Sequence, residues 1–262
     1  MLLDLSSISK VSYPDFIALM NQDNTPPGGI ETLNYWITKG KIHRKSTILD
    51  LACSTGFSSR YCFQQTGAKS IGIDISLDSI NVANNKAREM GAAACVTFLN
   101  MDACKLSFKD EKFTHVLAGC NFAFIQDRSI ALDESLRTLS KNGAICVSNF
   151  YYRTPPPNEI LEEVRHSIGF KPSHNWTYEY WLNFFQSKGL KLSHEHNYNL
   201  ASIPETVLHR SIEQYIHKEN TFTSTLIPEF KNEFFQKFYS IKKALNSQRN
   251  YQGVSVQIWH KP

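Results

Sequence analysis

No stretch of this 262-residue chain approaches the ~20 consecutive apolar residues that a membrane span requires. The opening residues, MLLDLSSISK, have no basic segment ahead of an apolar run, so no secretory signal is expected there. Charge of one sign is also in short supply. A net charge of +4 with no basic stripe and no appended module argues against a nucleic-acid or membrane surface as the target. The six cysteines, Cys53, Cys62, Cys95, Cys104, Cys120 and Cys146, contain no CxxC pair. Several fall on apolar runs, where thiols act as small buried hydrophobes of a reducing compartment, so a cytoplasmic location is expected. No internal repeat or low-complexity tract interrupts the chain. The glycine pattern GxGxxG is missing as well: Ala52, Ser54 and Phe57 stand at the comparable positions. That disfavours a dinucleotide, whose pyrophosphate needs close approach to the helix start.

What is present is a rhythm. Ile48, Leu49, Leu51 and Ala52 form a short apolar run, as a strand buried on both faces should. The small residues Cys53-Ser54-Thr55-Gly56 make a turn, and a helix over 57–65 closes at Gly67. A strand over 69–74 follows, then a helix opened by Ser76 or Asp78 and closed by Gly91. Strands over 95–100, 113–120 and 144–150, with a helix over 127–140, complete the alternation. This pattern predicts a doubly wound α/β fold around a parallel sheet. After Tyr152 the rhythm breaks. The prolines of TPPPNEI, a helix over WTYEYWLNFFQ, a sixth strand, an aromatic-rich helical stretch over 203–245 and a last alternating strand in YQGVSVQIWH follow in turn.

Ligands of open α/β sheets bind at the carboxyl ends of the strands, and three acids fall there. Asp50 lies inside the first strand, Asp74 ends the second, and Asp102 follows the third. An acid in the place of Asp74 can accept both hydroxyls of a ribose, and one in the place of Asp102 can meet an adenine amino group. Each has a plain alternative: Asp74 as a helix cap and Asp102 as a turn former. As an ordered set they describe a nucleoside across the strand tips.

These motifs give residues 46–150 a resemblance to the class I S-adenosylmethionine (SAM)-dependent methyltransferases. LDLACSTG is similar to that family's glycine-rich first motif, GIDIS to its second-strand acidic motif and NMDAC to its adenine-contacting motif, with AGCNF at the fourth-strand tip. Ala52 and Ser54 replace usual glycines but stay small, and Thr114 replaces a structural acid at the start of the fourth strand. The resemblance implies a seven-stranded Rossmann-like sheet with an antiparallel last strand. It implies SAM as cofactor, S-adenosylhomocysteine as product and no metal. Asp50 would orient the turn, and the backbone around Ala52, Cys53, Ser54 and Gly56 would line the methionine part. Asp74 would bind the ribose with Ile75 on one adenine face, Asp102 and Ala103 would meet the adenine edge, and Cys120 and Asn121 would flank the sulfonium. No catalytic triad is expected, because methyl transfer depends mainly on alignment.

The resulting division is an N-terminal helical lid over 1–45, a cofactor core over 46–153, and a region over 154–262. In that region helical elements at about 154–188 and 203–246 cover the strand tips, while the last two strands complete the sheet. Substrate contacts are expected from Gly29, Phe124, Tyr151, Tyr152 and Trp176. Gly28 and Gly29 allow close backbone approach, and the aromatics suit a mostly apolar pocket for a small metabolite. His194 and His196 share one strand face without a third metal ligand. NFAF (121–124) keeps only the outer residues of the NPP[YF] motif that acts on planar amino groups. The expected activity is methyl transfer to a small, partly apolar metabolite at O, N or C. A non-catalytic SAM-binding sensor or partner subunit, a nucleic-acid or protein methyltransferase and an NAD-dependent oxidoreductase stand as alternatives.

Overall fold

Strands buried on both faces need helices on both sides, and the chain supplies them in alternation. A computed structural model describes residues 8–262, so residues 1–7 of the expected lid lie outside the described part. Seven strands form one sheet: β1 (Thr47–Leu51), β2 (Lys69–Asp74), β3 (Val96–Asn100), β4 (Phe113–Gly119), β5 (Leu139–Tyr152), β6 (Lys191–Asn199) and β7 (Gln252–His260). Their order is β3-β2-β1-β4-β5-β7-β6. The first five run parallel, and β7 lies antiparallel to both β5 and β6. The order reverses between β1 and β4, which opens a crevice at their tips. Thr114 ties these two strands: its hydroxyl donates to the Thr47 carbonyl at 3.1 Å and accepts the Thr47 N–H at 3.0 Å.

Helices α1 (Tyr13–Leu19), α2 (Gly29–Lys39), α3 (Phe57–Thr66) and α4 (Leu77–Glu89) precede the middle of the sheet. On one face Leu33 and Trp36 of α2 and Cys62 of α3 pack on Ile48, Leu117, Cys146 and Ile258. Ile80 and Ala83 of α4 cover Val96 and Phe98 on the same side. The short α5 (Asn121–Phe124) is followed by α6 (Arg128–Thr138) and, later, by α7 (Asn158–Ile168) and α8 (Tyr178–Gln186). On the opposite face Leu132 of α6 and Trp181 and Phe185 of α8 join Leu49, Val116, Ile145 and Trp259. So α8, which falls inside the 154–188 stretch expected over the tips, turns its large aromatics into the sheet core. The Trp181 indole N–H completes that docking by donating to the Phe150 carbonyl at 3.1 Å.

A second apolar core gathers α1 and α7 with α9 (Glu205–Gln214) and α10 (Pro228–Ser247). Phe16, Val164, Ile212, Phe234 and Phe238 are its buried members, and the Phe16 and Phe234 rings stack at 5.6 Å. Between α9 and α10 the chain makes a π turn (Tyr215–Glu219) and a 3-10 turn (Thr223–Thr225). Buried Asn220 pins this bend, donating to the Met20 carbonyl at 2.8 Å and accepting from the Thr223 N–H at 2.8 Å. The helical unit meets the sheet at the strand tips, where the buried Tyr152 hydroxyl donates to Gln248 Oε1 at 2.5 Å.

The two cores make a testable difference. Phe234→Ala removes a fully buried ring and is expected to cost about 3–5 kcal/mol by chemical denaturation. Hydrogen exchange should show lost protection in α7, α9 and α10, with β1, β4 and β5 keeping theirs.

Candidate active site

The turn after β1 sets the geometry. Ala52 (φ 46°), Ser54 (φ 49°) and Gly56 (φ 78°) all occupy the left-handed region, so two non-glycine residues hold a conformation that glycine adopts freely. That stores on the order of 1–2 kcal/mol per residue, and small side chains keep the backbone open. The turn is clamped from β2: the Cys53 N–H donates to the Ile73 carbonyl at 2.8 Å, and the Ser54 N–H donates to Asp74 Oδ2 at 2.8 Å. Asp50, buried beneath, accepts from the Ser59 N–H (3.1 Å) and hydroxyl (2.8 Å) of α3. Burial pushes its carboxyl up to about 7, against the lowering effect of the Ser59 bonds, with a further rise from Asp74.

Asp74 is no helix cap. Ser76 caps α4 by accepting from the Ser79 N–H, while Asp74 Oδ1 accepts the Ser76 N–H at 2.9 Å. Each carboxylate oxygen therefore holds one backbone N–H and keeps a lone pair free, the pattern a vicinal diol requires. Burial raises its pKa, and Asp15 adds to the rise. Beside it Ile75 stands 77% exposed, fixed by the Asn100 side chain, which donates to the Asp74 and Ile75 carbonyls. Asp102 is exposed and Ala103 buried. Asp102 Oδ1 accepts the Cys104 N–H at 2.8 Å, the turn-forming role. The β4 tip ends in Cys120 at φ 65°, its thiol raised to about 11 by burial. The Asn121 amide donates to the Leu51 carbonyl at the end of β1. These residues fit a nucleoside carrying a sulfonium: a diol acceptor, an exposed apolar face and an open-backboned turn lie in order across the tips.

Two residues of α1 escape a reading of local motifs. Burial raises the Tyr13 hydroxyl to about 12, and Cys120 adds to the rise through its field. Asp15 accepts from the Ser76 hydroxyl at 2.8 Å. Asn149 on β5 is fully buried with both amide atoms unpartnered, opposite Ser255, whose hydroxyl is also unpartnered. A Ser-Asn pair inside the apolar run AICVSNF was the available signal.

The expected substrate residues fall in separate places. Phe124, half exposed, meets Phe170 at 5.1 Å, and Phe170 stacks on Trp176 at 5.6 Å. Tyr151 meets Tyr178 edge-on, whereas Tyr152 turns toward Gln248. Gly29 begins α2 at φ 61° on the other side of the sheet. His194 meets its neighbour Ser193, and His196 lies between Tyr35 and Tyr198. Among the described residues no group of three or more His, Cys, Asp or Glu side chains is placed to hold a metal ion.

Residues 49–147 match a family described as a methyltransferase domain. The crystal structure of MccD protein is 47% identical, covers 91% of this chain and 100% of its own, and has a TM-score of 0.80. Demethylmenaquinone methyltransferase of Bacteroides fragilis is 29% identical over 41% of this chain and 44% of its own length. Phosphoethanolamine N-methyltransferase 2 of Haemonchus contortus, solved with phosphomonomethylethanolamine and S-adenosylhomocysteine, shares the fold. It is 16% identical, with a TM-score of 0.73 over 100% of this chain and 61% of that one. The chain spans less than two thirds of both of these named enzymes.

The burial of Asp50 has a measurable consequence. A carboxyl raised from its ordinary range to about 7 contributes stability that is complete below the unfolded value and is lost as pH rises through the folded one. Asp50→Asn keeps an acceptor for Ser59 without the buried charge. It is expected to exceed the parent by about 2–4 kcal/mol at pH 8, with the gap closing in acid. Denaturation curves at several pH values measure this, and a less stable variant at pH 8 would refute it.

Proposed function

This chain belongs to the class I SAM-dependent methyltransferases, and we propose that its acceptor is a small, partly apolar metabolite, methylated at O, N or C. The observation carrying the reading is the Asp74 carboxylate, half-satisfied by two backbone N–H groups and placed between the strained turn and exposed Ile75. When bound, SAM supplies a methyl group on a positively charged sulfur. Asp74 takes the ribose hydroxyls, Ile75 covers the adenine face, and Asp102 with Ala103 borders its edge. The turn of Ala52, Cys53, Ser54 and Gly56, steadied by Asp50, lines the methionine part. Cys120 and Asn121 border the sulfonium, and the nearby Tyr13 ring favours positive charge there.

Phe124, Tyr151 and Trp176 contribute to the wall around the acceptor, whereas Gly29, across the sheet, and Tyr152, turned toward Gln248, do not join them. Aligning acceptor and methyl in a water-poor pocket supplies most of the rate. A small-molecule acceptor is supported by the mild net charge and by the aromatic lining. No described helix is long and apolar enough to cross a membrane, and the six free cysteines accord with work in the cytoplasm.

Titration calorimetry with SAM, S-adenosylhomocysteine and NAD tests the cofactor site. Asp74→Ala should weaken SAM binding by about 1.5–3 kcal/mol, the worth of charge-assisted hydrogen bonds; unchanged affinity removes Asp74 from the ribose role. Because burial raises Asp74, its charged form is lost at higher pH than for an ordinary carboxylate. SAM affinity should therefore fall on mild acidification, and Asp74→Asn should flatten that dependence. Release of S-adenosylhomocysteine with small-metabolite extracts tests the transfer. A protein that binds SAM yet stays silent across a broad panel is a sensor or partner subunit instead.

A further inference from the structure

On the side of the sheet opposite Phe124 and Trp176, a cavity of about 610 Å³ opens between α2 and the β5-β7-β6 edge. Its floor is apolar, built from Val254, Val256 and the 36% exposed Phe150. One wall is a row of rings: Tyr35 and His196 lie 6.1 Å apart, and His196 and Tyr198 5.7 Å apart. Arg249 closes one end, donating through Nε to the Ala201 carbonyl at 2.8 Å. No carboxylate lies in ion-pair contact with Arg249 among the described residues.

A second cation, Lys242, lies within electrostatic reach of Arg249 but does not line the cavity. Lys242 sits four residues beyond buried Phe238, so the two share one face of α10. Its ammonium lies 5.0 Å from the Phe238 ring, with no carboxylate in ion-pair contact among the described residues. Burial lowers its pKa, and Arg249 lowers it further. Arg249, without a paired acid among the described residues, leaves a positive end beside an apolar, ring-lined floor. The acid lining the cavity, Glu31, is exposed, so water screens its opposition.

We propose that this cavity is a second small-molecule site, apart from the methyl-transfer centre, and that its ligand is a planar apolar ring bearing an anionic group received by Arg249. The ring would lie along Tyr35, His196 and Tyr198, and Val254 and Val256 would pack against its body. Arg249 would orient it as a planar, forked donor to carboxylate or phosphate oxygens.

The test uses the full chain with 4-fluorobenzoate and its neutral counterpart 4-fluorobenzamide, followed by fluorine NMR titration. Saturable binding of the benzoate, at least several-fold tighter than the benzamide, is expected. Arg249→Gln should weaken the benzoate about tenfold or more, leave the benzamide unaffected and leave SAM affinity unchanged. Arg249→Lys should recover part of the loss. Glu31→Gln should tighten the benzoate a few-fold, a response that a merely structural Arg249 would not produce. Equal binding of the two probes, no saturable benzoate binding, or a benzoate affinity indifferent to Arg249→Gln overturns the proposal. SAM calorimetry on the same samples keeps the outcomes apart: lost Arg249 dependence with intact SAM binding fails the cavity alone, whereas absent SAM binding fails the methyltransferase reading.

Discussion

Two backbone N–H groups converge on one carboxylate at the centre of this molecule. Ser54 and Ser76 reach Asp74 at 2.8 and 2.9 Å, so a single side chain fixes the turn after β1 and the entry to α4 together. The turn needs such a clamp, because Ala52 and Ser54 are held in left-handed conformations that cost free energy. With the turn in place, α3 starts where Ser59 can reach Asp50, and Ser76 is free to cap α4. From Ser76 the chain of contacts continues to Asp15, which brings α1 over the crevice.

The segment from α1 to α2 belongs to both halves of the molecule. Phe16 is buried in the helical core, while the Thr55 hydroxyl donates to the Gln22 carbonyl at 2.7 Å beside the turn. Asp23 then meets Arg60 of α3 and Lys86 of α4. Exposed ion pairs contribute little, but here both cationic side chains are almost covered, at 13% and 12% exposure. Losing Asp23 would leave two neighbouring cations with little access to water. The same segment rests Pro26 against Gly119 of β4, where an added Cβ would come within 2.7 Å. Close packing at that glycine keeps the loop low over the strand tips, between the cofactor crevice and the ring-lined cavity.

Some polar groups left without partners lie near the β5 tip. Asn149 and Ser255 face one another across β5 and β7 with unpartnered polar atoms in a fully buried setting. Buried amides are nearly always satisfied in folded proteins, and such a group is costly to leave unmet. The β5 and β7 pairing near the strand tips is thus a site of unmet polar groups within the sheet.

Local patterning determined much of this protein by itself. The run at 48–52, the glycine stops at Gly67 and Gly91, and the acids at 50, 74 and 102 are local features. They specify strands, helix ends and acids at the strand tips because hydrogen-bonding period and turn chemistry act over a few residues. Even the glycine-like role of Ala52 and Ser54 is readable from their size and place in the motif. Tertiary structure alone decided which surfaces meet. Periodicity says that a face of α8 is apolar, but not that Trp181 would enter the sheet core. Tyr151 and Tyr152 are adjacent in sequence, yet strand alternation sends one toward Tyr178 and the other toward Gln248. The ring-lined cavity joins Tyr35, Phe150, His196 and Arg249 from four distant parts of the chain. Its composition follows from β7 inserting between β5 and β6, a long-range pairing that no short window of sequence encodes.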